Sequence, residues 1–424
     1  MADLFNLAWM TTTTTGTGTL TLGPSMPAAL TFAQAGVPNG ATVRYALEDT
    51  GSPGREVGYG VYSSSGPTLT RNVIKSTNSD AALNLSGNAH VAIAALAEDF
   101  VSHADDYKDF LGLGIPYNLT LAASVAANEL TISLKDYAEN DPSSSSPCVI
   151  PFRSANAANG SYSSLLVTGP NSLTISSGST MGIGNATPFR LWIVALHDAG
   201  TIRLGAINCA GSNKIYPLPE HSLVSSTAEG GAGAADSAGV VYTGTAVTSK
   251  ALRILGYLEW TSGLTTAGAW SSGPDVIQLF GPGVPRPGQT VQSVSNSFAA
   301  SSGSNTASTS YVDTNVAADA ITLTSPCNRV AYSFQIQVSI ATASAEEFLT
   351  MSRGGVAIGP TVSGTFGVGT SGVNVQTAGH SGADFPGSVG PHTYKVRAKS
   401  SNGATVYWND LNGGATINIA EIMA

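Results

Sequence analysis

The sequence predicts an all-β protein made of several sandwich-like or jelly-roll-like domains, with one short linking helix at about 99–111. Charged side chains are only 11% of its 424 residues, against ~25% in ordinary soluble domains. Lys and Glu clothe helix surfaces, whereas Ser, Thr, Gly and Asn suit strand exteriors and turns, so the missing charge favours strands. Leu191 to Leu196 is a continuous apolar run, too short to cross a bilayer and too unbroken for a strand with one wet face; it reads as a strand covered on both sides. Tyr332, Phe334, Ile336, Val338 and Ile340 alternate with polar residues, which is the period of a strand with one packed face.

In chain order, residues 1–97 form a first β module. Its strands are the Thr-rich stretch Thr11 to Leu22, Ala41 to Glu48 after a Pro38-Asn39-Gly40 turn, Val57 to Tyr62, Thr68 to Ile74 and His90 to Leu96. Residues 98–117 form a neck. In it Phe100, Ala104, Tyr107 and Leu111 repeat with helical spacing between an Asp99 cap and a Gly112 stop. Residues 118–280 are a central β domain built around Phe189 to Cys209. There His197-Asp198-Ala199-Gly200 reverses the chain between two strands, and Arg253 to Trp260 supplies a third. Ser225 to Gly239 is a low-complexity loop long enough to be either mobile or ordered by a neighbouring subunit. Residues 281–289, GPGVPRPGQ, suit neither a helix nor a central strand and mark a linker. Residues 290–424 close the chain as a C-terminal sandwich in which Tyr394, Val396 and Ala398 alternate with Lys395, Arg397 and Lys399.

Some of these residues carry a resemblance. Gly16-Thr17-Gly18-Thr19, Thr31-Phe32-Ala33, Asn39-Gly40, Tyr45 with Glu48-Asp49, Glu56-Val57-Gly58 and Leu69-Thr70-Arg71 resemble a module at the N-terminus of tailed-bacteriophage fibre, spike and tail-tip proteins. The segments at Glu129-Leu130-Thr131-Ile132, Phe189-Arg190-Leu191-Trp192, Ser226 to Gly231 and Ile277 to Gly283 are similar to mid-regions of phage tail proteins. The strand Thr416 to Ile422 is similar to the last strand of trimeric fibre heads. The resemblance implies a virion protein, assembled in the bacterial host cytoplasm, whose N-terminal module attaches to other virion proteins. Its C-terminal region would face a host-surface glycan or protein. With the low charge and abundant Gly, Ser and Thr it also implies a homotrimer. The alternatives are a purely structural tail-tip or capsid-surface component and a polysaccharide-degrading tailspike.

The chemistry expected is binding, with no catalytic residue, cofactor or metal. Gly367 to Gly372 fits GxGxxG without the strand and helix that a nucleotide fold needs, and Gly379-His380-Ser381-Gly382-Ala383 fails the nucleophile-elbow pattern. The histidines show no zinc spacing. Asp105, Asp106 and Asp109 with His103 could ligate a cation such as Ca²⁺, but read rather as a solvated acidic face. Glu259, Asp275, Glu346 and Glu347 could pair as glycosidase carboxyls only through tertiary folding. Candidate glycan or receptor contacts are Tyr257, Trp260 and Trp270, the densest aromatic cluster, and the cationic row Lys395, Arg397 and Lys399. A net charge of −9 offers no face for a phosphate backbone, so nucleic acid is not an expected partner. No apolar run approaches a membrane span, and no basic leader precedes Arg44. Cys148, Cys209 and Cys327 lie too far apart in sequence to read as a disulfide framework, which favours folding in a reducing compartment.

Overall fold

The computed structural model describes residues 4–99, 114–153, 162–211, 214–233, 236–299, 304–340, 346–359, 362–364, 374–409 and 414–424. The chain is all-β; among the described residues the helical content is one 3-10 turn, Ala97–Asp99. The helix expected at 99–111 lies, beyond Asp99, outside the described residues. Two compact units are present, Met1–Asp106 and Tyr107–Ala424.

In the first unit, strands β1 (Trp9–Thr12), β2 (Leu20–Ser25), β3 (Thr42–Asp49), β4 (Gly54–Ser63) and β6 (Ala89–Ile93) pair in a circuit, and β5 (Asn72–Ser76) pairs β4 alone. β3 pairs β6, β6 pairs β1 and β1 pairs β2. The short Thr68–Leu69 strand then joins β2 to β4, and β4 pairs back to β3, so the sheet closes on itself. Closure removes free edges from the ring. Alternation then sends Val43, Tyr45 and Leu47 inward with Leu20, Leu69 and Val91.

Inside this barrel Tyr45, Glu56 and Arg71 converge. Arg71 Nε reaches Glu56 Oε1 at 2.9 Å and Arg71 Nη2 meets Glu56 Oε2. Tyr45 Oη donates to Glu56 Oε1 at 2.6 Å, and the Leu83 main-chain N–H donates to Glu56 Oε2 at 2.8 Å. Burial alone would raise the Glu56 pKa; the bonds from Arg71, Tyr45 and Leu83 override it and hold the group below the usual carboxylate range. Gly60 permits the close approach of the next strand, since a Cβ there would lie 1.9 Å from the Thr70 carbonyl oxygen.

The second unit begins with β7 (Thr120–Ala126) and β8 (Glu129–Lys135), continues through the hairpin of β9 (Cys148–Arg153) and β10 (Tyr162–Val167), and adds β11 (Ser172–Ile175). Its main sheet is carried by β12 (Phe189–Asp198), β13 (Thr201–Ile207), β14 (Lys250–Trp260) and β15 (Val276–Leu279). β12 is buried on both faces, as the apolar run predicts. Leu191, Ile193 and Ala195 enter one core with residues of β8 and β11. Trp192, Val194 and Leu196 enter a second, beside Ile254 and Met423. Ala199 and Gly200 turn the hairpin with φ of 48° and 90°, the left-handed pair that a two-residue connection needs. The 225–239 loop is tied within the chain: Glu229 accepts from Ser176 N at 3.1 Å and Ser176 Oγ at 2.9 Å, and Asp236 accepts from Ser179 Oγ.

The remaining strands form a sandwich. One sheet holds β16 (Thr290–Phe298), β18 (Arg329–Ile340), β20 (Asn374–Asp384), β22 (Val406–Trp408) and β23 (Ala415–Ile422); the other holds β17 (Val312–Ala317), β19 (Glu347–Arg353) and β21 (Tyr394–Ser400). Tyr332, Phe334, Ile336 and Val338 pack with Ile417 and Ile419 against Leu349, Met351, Tyr394, Val396 and Ala398.

Candidate functional site

The expected aromatic platform is corrected by the structure. Trp260 and Trp270 are 1% and 0% exposed. Trp260 stacks on Phe189 with centroids 4.7 Å apart, and Trp270 closes the cluster at 5.6 Å. Their indole N–H groups donate to the Ser272 and Ser179 carbonyls at 3.0 and 3.2 Å. Both faces and both polar tips are therefore used, and neither ring is free for a sugar. Tyr257 is half-buried beneath the Arg190 guanidinium, 4.6 Å from the ring centre, a cation–π contact.

Arg190 is the centre of a buried joint between the central and C-terminal sandwiches. Its Nε bonds Glu259 Oε1 at 2.8 Å; its Nη1 bonds Asn328 Oδ1 at 2.9 Å and the Ala424 main-chain oxygen at 2.6 Å. Trp192 donates to that same oxygen at 3.1 Å, and Ser325 to Glu259 at 2.9 Å. Asn328 then reaches Glu421 at 2.6 Å, where Gln292 and Thr324 also donate. Burial would raise the Glu421 pKa, but these donors hold it below the usual range. Such a joint fixes two sandwiches in register; it offers no free group for chemistry.

The cationic row lies on the outward face of β21, opposite the packed Tyr394, Val396 and Ala398. Lys395 Nζ lies 3.3 Å from Asp313 Oδ2. Arg397 Nε lies 3.0 Å from Asp313 Oδ1, an ion pair too bent for a hydrogen bond, while its Nη1 and Nη2 bond the Gly355 and Tyr311 carbonyls at 2.8 and 2.7 Å. Lys399 sits 4.9 Å from the Tyr311 ring centre and 5.2 Å from that of Phe348. Lys395 and Arg397 thus share the Asp313 carboxylate, while Lys399 lies over two half-buried rings. Arg397 is largely spent on the backbone. The accessible charges are Lys395 and Lys399.

The other motifs resolve differently. Gly379 to Ala383 lies within the extended β20, which lacks the sharp turn of a nucleophile elbow. Gly367 to Gly372, His103 and the acidic group Asp105, Asp106 and Asp109 lie outside the described residues. Glu259 is held by Arg190, and Asp275 accepts from Thr261 Oγ1 and N at 2.7 and 2.6 Å, which lowers its pKa. Glu347 is fully buried with neither carboxylate oxygen hydrogen-bonded, and burial pushes its pKa up to about 9. Cys148, Cys209 and Cys327 are free and buried, and burial pushes the Cys148 and Cys327 thiols up to about 12. Among the described residues no three His, Cys, Asp or Glu side chains gather as a metal site, and no helix is long and apolar enough to cross a membrane. Arg153, Arg253 and Arg286, widely separated in sequence, converge on one cleft. No spacing in the sequence signals that cluster.

No family model and no curated protein matches this sequence. Solved structures that it resembles include infectious bursal disease virus Gt strain, at 9% identity and a TM-score of 0.20, covering 100% of this chain and 76% of that one. The VP2 subviral particle of the same virus has 11% identity and a TM-score of 0.20, with coverage of 100% and 78%. The insecticidal delta-endotoxin Cry8Ea1 from Bacillus thuringiensis has 12% identity and a TM-score of 0.19, with coverage of 73% and 52%. At these scores and identities the neighbours say nothing about the role of this chain.

Proposed function

We propose that the protein is a structural virion component of a tailed phage or phage-like particle, of the fibre or spike type, which adsorbs to an acidic glycan on the host surface without cleaving it. The N-terminal barrel attaches it to other virion proteins, and the chain assembles as a homotrimer. The observation that carries the adsorption reading is the outward row of β21, where Lys395 and Arg397 share the one carboxylate of Asp313 and Lys399 lies over the Tyr311 and Phe348 rings. Exposed charge pairs contribute only ~0.2–1 kcal/mol each, so a useful affinity requires several copies acting together, as a trimer supplies.

The test uses the full chain. Binding to immobilised polygalacturonate is compared with binding to neutral dextran for the native protein and for Lys395→Gln/Lys399→Gln, alongside mass by light scattering. Preference for the acidic polymer, lost in the variant and weakened by salt, supports the reading. Equal binding of both proteins would overturn it, a monomeric mass would remove the trimer, and new reducing ends in the polymer would favour a depolymerase.

A further inference from the structure

We propose that the cleft formed by Arg153, Arg253 and Arg286 on the central sandwich is a binding site for an oxyanion, a carboxylate, sulfate or phosphate group carried by a small or polymer-linked molecule. Arg153 ends β9 and faces Tyr162, the first residue of β10, across their ladder. Arg253 comes from β14 and Arg286 from the 281–289 segment. With Glu220 and His221 they line a cleft of about 170 Å³. At ~30 Å³ per water, that is room for about five or six waters, enough for a charged head group and a few atoms of its carrier.

Charge is the first reason. Three guanidiniums meet one carboxylate, a local excess of positive charge in a chain whose net charge is −9. Glu220 is already engaged, accepting from Ile254 N at 2.8 Å and pairing with Arg286 Nη2 at 2.6 Å. The second reason is an unmet donor. Arg253 Nε is buried, lies 3.6 Å from Glu220 Oε1, and has no hydrogen-bond partner. A buried N–H without an acceptor is costly, and an incoming oxygen would satisfy it. Arg153 is exposed and makes no ion pair or side-chain hydrogen bond among the described residues. Guanidinium forks match the paired oxygens of carboxylate, sulfate and phosphate. Tyr162, 46% exposed at the rim, offers a ring face and a hydroxyl to the carrier. The site is separate from the β21 row and does not rest on the adsorption reading.

Calorimetric titration of the full chain with sodium glucuronate, sodium sulfate and glucose tests the site. Saturable binding of glucuronate or sulfate, with none of glucose, is expected. Arg153→Gln, an exposed change at a strand end, weakens it roughly tenfold, as loss of a charge-assisted hydrogen bond should, and Arg253→Gln weakens it as well. Glucuronate much tighter than sulfate assigns the anion to an acidic sugar; sulfate alone assigns it to an inorganic oxyanion. A response to glucose equal to that of glucuronate, no saturable response to either anion, or unchanged binding in both arginine variants would overturn the proposal. So would loss of binding in Lys395→Gln/Lys399→Gln alone.

Discussion

Glu347 should make the larger unit lose stability as pH rises. The side chain begins β19 on the face shared with Leu349 and Met351, and it is fully buried with both carboxylate oxygens unbonded. Desolvation favours its neutral form and lifts its pKa from 4.5 to about 9. Between those values the folded chain holds a proton that the unfolded chain has released. Stability therefore falls by about 1.4 kcal/mol per pH unit across that window and levels off above it. From about pH 5 to pH 8 the loss reaches roughly 4 kcal/mol, a large share of the ~5–15 kcal/mol that holds a domain folded. Glu347→Gln keeps the shape and removes the titration. Its absolute stability also reflects its own unbonded amide, so the slope against pH is the readout. Denaturant unfolding followed by Trp fluorescence reports mainly on this unit, which contains Trp192, Trp260, Trp270 and Trp408. Carboxylates held at low pKa, such as Glu56 and Glu421, contribute stability that is lost toward acid in both proteins and cancels in the difference. The variant should gain on the native chain steadily as pH rises. Parallel stability curves from pH 5 to 8 would refute the account of Glu347.

Three further outcomes are expected. Arg190→Met strands the buried Glu259 carboxylate and costs about 3–5 kcal/mol; adding Glu259→Gln restores part of that, as denaturant midpoints of the single and double variants would show. Glu56→Gln breaks the charge match with the buried Arg71 and lowers the stability of the N-terminal barrel by about 3 kcal/mol, read as an earlier thermal transition of that unit. Gly60→Ala drives a methyl group into the Thr70 carbonyl and should cost more than about 4 kcal/mol, seen as loss of the folded barrel by circular dichroism; a native-like melt would contradict the close strand approach.

Much of the fold was legible because burial leaves a period in the sequence. The unbroken run from Leu191 to Leu196 announced a strand with two dry faces, and Tyr332 to Val338 announced one with a single dry face. The His197 to Gly200 reversal was readable as a short polar, Gly-ended break between two apolar strands, although Ala199 takes a positive φ that its side chain does not favour. The aromatic trio misled because a Trp is equally suited to a core and to a sugar platform. Spacing along the chain does not say which side of β14 its neighbours will cover. The three-arginine cleft left no local mark, since its members come from separate strands and a loop.

The sequence by itself determined the class of structure, the positions of its principal strands and which side of each is apolar, because these depend on the chemistry of residues a few places apart. Only the tertiary structure decided that the first module closes into a ring, that Arg190 clamps the two later sandwiches through Asn328 and Ala424, that Glu347 is left without a partner, and that Arg153, Arg253 and Arg286 meet. Each of those depends on where distant segments come to rest, and pairing between them is set by packing and desolvation over the whole core, which no short window of residues encodes.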